Sequence, residues 1–186
     1  MEQLSIGKDY LTSAIKNFKD IKAAGDRAFN QIKDEDFFFE PNEECNSIAT
    51  IIKHLSGNML SRWTDFLTTD GEKEWRNRDT EFDRIFYTDK DDIIERWEKG
   101  WECTFNTLNS LTENDLQKTI YIRKEPHTVV QAINRQIYHY GYHIGQIVYL
   151  AKFLAKNNWN SLSIPRGKSN EFNEKMMGGD KPGLIS

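Results

Sequence analysis

The chain has 186 residues and a net charge of −4; hydrophobic residues make up 38% and aromatic residues 12%. This length is ample for one hydrophobic core and short for two, so a single domain over residues 1–186 is predicted. The charges are mixed without a basic stripe, which argues against nucleic acid as a partner, and no apolar run approaches the ~18–20 residues that span a membrane.

Four amphipathic helices are predicted from the spacing of apolar residues. Apolar side chains recur at three- and four-residue steps over residues of about 5–33, about 46–68, about 90–110 and about 127–157. Asn46 or Ser47 is the expected N-cap of the second helix. A polar stretch over residues 69–89 separates helices two and three and is typical of a surface arm or a long loop. The pattern predicts an all-α fold, a four-helix bundle with a long crossover arm.

Three smaller segments lie outside this periodicity. The residues Thr119–Ile122 have a strand-like composition but are too short to define a sheet. His127 follows Pro126 at the start of the fourth predicted helix, which indicates a capping or loop residue. The residues from about 160 to 186 lack helical periodicity, so an irregular C-terminal tail is expected.

Two of the four histidines, His139 and His143, are four residues apart on the fourth predicted helix. Such residues lie one above the other on one helix face, where two imidazoles can bind one metal ion. At 100° per residue they fall roughly 80–120° from Ile133, at the margin of the apolar stripe. His54 on the second helix falls about 120° from Ile48, and Asn58 falls about 80° away. Two helices therefore offer metal-binding groups at the edge of a core face. Three histidine ligands, His54, His139 and His143, with an open position for water or substrate would form a site of the catalytic zinc type if the helices pack so that these margins meet.

The alternative is that these histidines are structural. A single histidine such as His54 is more often a hydrogen-bonded surface residue than a metal ligand. Under the metal hypothesis, Asn58 could contact the substrate, and Gln136 and Gln146 could orient the imidazoles from the same helix. The nucleophile would be a metal-bound water or thiol, and no other catalytic base is evident.

Several segments together resemble the DinB/YfiT-like superfamily, and more specifically one of its uncharacterised bacterial subgroups. They are His54-Leu55-x-x-Asn58, the His-x-x-x-His pair, and residues 53–59 (KHLSGNM), 75–79 (WRNRD), 97–101 (WEKGW) and 163–169 (SIPRGKS). The resemblance covers nearly the whole chain. It implies a divalent metal, zinc or nickel, bound by His54, His139 and His143, and it implies a homodimer. It also implies a metal-dependent hydrolase, or a transferase that uses a low-molecular-weight thiol of the bacillithiol or mycothiol kind.

A second hypothesis is a non-catalytic dimeric bundle that acts as an interaction or stress-response protein. Its contact surfaces would be the aromatic segment from Trp75 to Phe86 and the tail from Pro165. If the chain is an enzyme, its partner is a small-molecule substrate.

Cys45 and Cys103 form no Cys-x-x-Cys pair, and the N-terminus has no basic and apolar leader pattern, so a reducing, cytoplasmic location is expected.

Overall fold

The computed structural model describes residues 5–83 and 89–179. Within them the long helices are α1 (Ile6–Phe29), α2 (Ile48–Trp63), α3 (Lys90–Ser110) and α4 (Val129–Ala155). A hairpin of β1 (Thr119–Ile122) and β2 (Glu125–Thr128) precedes α4, and a short helix α5 (Ser169–Met177) follows it. The predicted all-α helical bundle is confirmed. No helix in these described ranges is both long enough and apolar enough to cross a membrane.

Each long helix begins at a residue whose side-chain oxygen accepts a backbone N–H of the first turn. The four caps are Ser5, Ser47, Asp89 and Thr128. Such a cap satisfies one of the N–H groups that a helix start leaves without a partner. Of the two predicted N-cap residues of α2, Asn46 and Ser47, the structure shows Ser47. Helix α2 ends earlier than the predicted residue 68, because Thr64 is extended and Asp65 has a φ of 50°.

The core is an aromatic cluster between two helix pairs, α1 with α4 and α2 with α3. At most 1% of each of its largest side chains is exposed: Phe18, Trp63, Trp97, Trp101 and Tyr140. The indole N–H of Trp63 donates to the Tyr140 hydroxyl at 3.0 Å, which links α2 to α4 inside the core. Helices α2 and α4 are thus held in one register, as a site shared between them requires.

The crossover arm (residues 69–89, described as far as residue 83 and at residue 89) was predicted to be a surface arm or a long loop, and this is only partly right. Trp75 is 60% exposed, as expected. However, only 2% of the Arg76 side chain and 7% of the Glu81 side chain are exposed, because the arm folds back over α2. The polar composition therefore reflects buried charge pairs as well as solvent contact. Phe86, the predicted end of the aromatic segment, lies outside the described residues.

The predictions for the hairpin and the tail need correction. Strand β1 does form a sheet, since it pairs antiparallel with β2 through a turn in which Arg123 and Lys124 have φ of 55° and 64°. His127 lies in β2, and the helix cap is Thr128. The predicted irregular tail contains α5, which has no buried residue and therefore carries no apolar periodicity that a sequence pattern could reveal.

Candidate metal centre

The three predicted ligands meet between α2 and α4. His54 comes from α2, His139 and His143 come from α4, and one nitrogen of each lies within 4.8 Å of the others. The Nε2 atoms of His54 and His139 are 3.3 Å apart. His54 is buried and the other two are half-buried, so the cluster lies at the edge of the core, as helix phase predicted. Within the described residues this is a group of three side chains that could hold a metal ion.

Hydrogen bonds orient two of the imidazoles. His54 donates from Nδ1 to the Glu81 carboxylate at 2.9 Å, which leaves a lone pair on the Nε2 atom that faces His139. His143 donates from Nδ1 to the Gln146 side-chain oxygen at 2.9 Å. Carboxylates and amide oxygens commonly hold metal-ligating histidines in this way. The prediction for Gln146 as an orienting residue agrees with this contact.

The spacing of two of the three donors, His54 and His139, fits a tetrahedral ion. Two histidine nitrogens at ~2.0–2.1 Å from zinc and at the tetrahedral angle are about 3.3–3.4 Å apart, which matches the measured Nε2–Nε2 distance. Three imidazole donors would leave one position of a four-coordinate ion available to a ligand. The residues present therefore fit a divalent metal of the zinc type, in a site that is not closed.

Burial favours the neutral form of the two imidazoles of α4, His139 and His143. Burial is the largest cause that lowers the pKa of His139, to about 3, and the neighbouring His143 and His54 lower it further. Burial likewise lowers the pKa of His143, against a smaller opposing effect of its bond to Gln146. A histidine must be deprotonated to bind a metal, so both residues are ready to bind at neutral pH.

Two residues of the crossover arm contact the cluster: Glu81 forms a hydrogen bond with His54, and the ring of Phe82 packs against the same imidazole at 4.8 Å between ring centroids. Burial alone would raise the pKa of the Glu81 carboxyl, but hydrogen bonds from His54 and Arg76 outweigh burial and lower that pKa. Arg76 donates from Nε and Nη2 to the two Glu81 oxygens at 2.7 and 2.9 Å. Lys53 also donates to the carbonyl of Thr80, and this bond ties the same turn to α2. The carboxylate is thus held in its charged form beside His54.

A glycine makes the approach of the arm possible. A Cβ atom built at Gly57 on α2 would lie 2.3 Å from Glu81 Oε1, closer than any real contact. Glu81 could not be predicted from the sequence, because it lies in a polar segment without periodicity. Its short 3-10 turn, Asp79–Glu81, is set by tertiary contacts with α2.

A cavity of about 220 Å³ adjoins His54 and His139. Its lining residues are mostly polar or basic: His54, Asn58, Arg62, Arg76, Arg78, Arg123, Arg135, Gln136, Tyr138 and His139. Asn58 and Gln136 were predicted to contact the substrate and to orient an imidazole, respectively; both lie at the cavity. Within the described part of the chain neither residue forms a hydrogen bond to a histidine, and the buried amide oxygen of each lacks a hydrogen-bond partner. Their roles remain predictions.

Arg62 is a cavity residue that the sequence analysis missed. It lies four residues after Asn58 and eight after His54, so all three occupy one stripe of α2. The same helix-phase reasoning that found Asn58 could have identified it. Gln136, His139 and His143 form the corresponding stripe of α4. The two stripes face each other across the cavity and the histidine cluster.

Fold and site together define a helical bundle with a three-histidine cluster that could hold a metal ion. The sequence matches the model of a protein family of unknown function, DUF1572, over residues 5–168, and the chain belongs to that family. A crystal structure of a conserved protein from Enterococcus faecalis is similar, with a TM-score of 0.50 and 15% identity. The match covers 82% of this chain and 98% of that one, and at this identity it supports the fold alone. No curated protein matches the chain.

Proposed function

We propose that the chain is a metal-dependent enzyme that binds zinc or nickel through His54, His139 and His143 and acts on a small molecule. The observation that carries this proposal is the convergence of three imidazoles, two of them oriented by Glu81 and Gln146. A bound divalent ion would lower the pKa of an oxygen or sulfur ligand and so supply a nucleophile near neutral pH. The same features support placing the chain in the DinB/YfiT-like superfamily.

The protein groups around the cluster have separate tasks in this proposal. Glu81 and Gln146 hold the proton on Nδ1 of their histidines, so that Nε2 remains available. Asn58 and Gln136 offer amide groups to a substrate in the adjoining cavity. The arm covers His54 through Glu81 and limits the access of water to that side of the cluster.

A second cavity favours transfer between two reactants over simple hydrolysis. It has a volume of about 560 Å³, and one of its lining residues is Gln146, whose side-chain oxygen accepts a hydrogen bond from His143. Its other lining residues include Ile51, Tyr142, Tyr149 and Leu150, so its character is more apolar than that of the first cavity. Two cavities of different character beside one cluster would suit a thiol and an electrophile. Transfer of a low-molecular-weight thiol is therefore the favoured reaction, and hydrolysis is the alternative.

The test begins with elemental analysis of the purified chain, before and after loading with zinc or nickel. One ion per chain is expected. Substituting His143 with alanine should weaken binding at least tenfold, because metal affinity depends on every ligand of a three-donor site. A wild-type chain that cannot be loaded with either metal refutes the proposal. A thiol-transfer screen on a panel of electrophiles, compared with ester and amide hydrolysis, then separates the two reactions.

His127 supplies the matched control for that experiment. It is the one histidine of the chain that does not belong to the cluster, and it lies in β2. His127→Ala should bind metal as the wild type does. Equal losses in both variants would indicate unspecific binding to surface histidines.

The alternative, a non-catalytic dimeric bundle, has its own supporting observation. Helix α4 exposes four aromatic side chains, each more than half exposed: Tyr138, Tyr142, Tyr149 and Phe153. Such a surface suits contact with a second copy of the chain. The homodimer remains a prediction, which light scattering of the purified chain measures directly.

A further inference from the structure

The basic cavity beside the histidine cluster has an imbalance of charge. Five of its lining residues are arginines, and none is an aspartate or a glutamate. Arg76 is neutralised by Glu81, and Arg123 pairs with Glu72 at 3.1 Å. Among the described residues, Arg62, Arg78 and Arg135 form no ion pair with a carboxylate. The cavity therefore carries a positive charge that its own walls do not compensate.

Arg62 is the critical group because it is buried. Only 4% of the residue is exposed, and its Nε and Nη1 atoms have no hydrogen-bond partner. A buried charge without a partner is costly, and each of these free N–H donors can form a charge-assisted hydrogen bond with an oxygen of a carboxylate or phosphate. Burial also lowers the pKa of Arg62, in line with this lack of compensation.

The cavity walls hold Arg62 in place without satisfying it. A Cβ atom on Gly71 would lie 2.3 Å from its Nη1 atom, so the absence of a side chain at Gly71 leaves the room that the guanidinium occupies. Asn58 and Gln136 are 6% and 1% exposed, and both present an unpartnered amide oxygen. Amide groups can accept from a hydroxyl or, through nitrogen, donate to an anionic oxygen. Buried polar groups that lack partners on one side of a cavity indicate a polar ligand.

We propose that this cavity binds the oxyanion group, a carboxylate or a phosphate, of an anionic substrate, with Arg62 as its buried ligand. Arg78 and Arg135 at the rim attract the anion, and Asn58 and Gln136 hold its neighbouring polar atoms. Arg62 is two turns of α2 from His54, about 12 Å along the helix axis. The anionic group is thus bound at one end of the cavity while the reacting part of the same molecule lies at the histidines. This substrate class rests on the proposed function, but anion binding itself needs no metal.

The test uses the metal-free chain, labelled with ¹⁵N, in NMR titrations with inorganic phosphate and separately with malonate at constant ionic strength. Saturable shifts of amides around Arg62 and Gln136 are expected with at least one anion. Arg62→Gln should weaken binding about tenfold or more, because charge-assisted hydrogen bonds are the strong ones. Binding of phosphate alone indicates a phosphorylated substrate, and binding of malonate alone indicates a carboxylic acid.

Two further variants keep the result unambiguous. Gly71→Ala displaces the Arg62 guanidinium without removing its charge and should also weaken binding, which covers the case in which Arg62→Gln does not fold. Arg166→Gln makes the same charge change at an exposed position outside the cavity and should leave binding unchanged. Equal losses in Arg62→Gln and Arg166→Gln would reveal unspecific attraction and overturn the inference.

The two proposals fail separately in this design. A chain that takes up zinc but shows no saturable binding of either anion overturns the substrate class and leaves the metal site intact. A chain that binds an anion through Arg62 but cannot be loaded with metal supports the anion site and refutes the metal-dependent enzyme.

Discussion

At the scale of single residues, His54 is the side chain on which the site depends most. It donates to Glu81 on one side and faces His139 on the other. Because Glu81 is charged and buried, it fixes the proton of His54 on Nδ1 and makes Nε2 a better donor to a metal. The arrangement links a residue of the crossover arm to two helices through one imidazole.

Substituting Glu81 with glutamine tests this link. The variant keeps the shape of the side chain but loses the charge that His54 and Arg76 both contact. Metal affinity, measured by competition with a chelator, should fall about 10- to 100-fold, as for other residues that orient a ligand. The matched control is Glu98→Gln on α3, which removes an exposed carboxylate that pairs with Lys22. Unchanged affinity in Glu81→Gln would show that Glu81 does not tune the site.

At the scale of elements, the crossover arm acts as part of the site and not as a linker. Its contact with α2 requires the bare backbone at Gly57, which lies three residues after His54. The arm therefore docks through close approach and charge pairing, and the ring of Phe82 also packs against His54, with ring centroids 4.8 Å apart. Trp75 remains 60% exposed.

Substituting Gly57 with alanine separates docking of the arm from the stability of α2. Alanine is the better helix former by ~1 kcal/mol, so thermal stability should not collapse. The added Cβ forces Glu81 to shift, so metal affinity should fall as in Glu81→Gln although no polar group is lost. Gly145→Ala on α4 is the control, since a Cβ there meets nothing within 4 Å. If Gly57→Ala binds metal as tightly as Gly145→Ala, the close approach has no functional role.

At the scale of the whole molecule, the neutral histidines connect folding to pH. Burial lowers the pKa of His139 from 6.5 to about 3, so below pH 6.5 the unfolded chain binds a proton that the folded chain does not. Unfolding free energy of the metal-free chain should therefore fall as the pH drops from 6.5 toward about 3. The share of His139 is about 2 kcal/mol between pH 6.5 and about pH 5. Urea denaturation at several pH values measures it.

His139→Gln is the comparison that isolates this residue. Glutamine does not titrate, so the variant should lose less stability on acidification, while His143 continues to contribute in the same direction. An identical pH dependence in both chains would mean that His139 is protonated in the folded state near its ordinary pKa.

The sequence predicted those parts of the molecule that repeat with helical periodicity. Helix phase placed His54 and the pair His139 and His143 on equivalent margins of two helices, and the family resemblance joined them into one site. A three-histidine cluster is what the structure contains. Arg62 was accessible to the same reasoning, since it continues the stripe of His54 and Asn58. Glu81 and Arg76 could not be identified in this way, because their burial depends on long-range docking of an aperiodic segment. Helix α5 was not predicted, because it buries no side chain and therefore shows no apolar periodicity.

The separation of the ligands along the chain has a consequence for folding kinetics. His54 is 85 residues from His139 and 27 from Glu81, so the cluster is complete only after helices distant in sequence have packed. Contacts of such long range tend to form late, after most local structure. An ion that binds only the finished cluster stabilises the native state without helping the chain to reach the folding transition state. Bound metal would then mainly lower the unfolding rate. Its removal would shorten the lifetime of the native state with little change in the refolding rate.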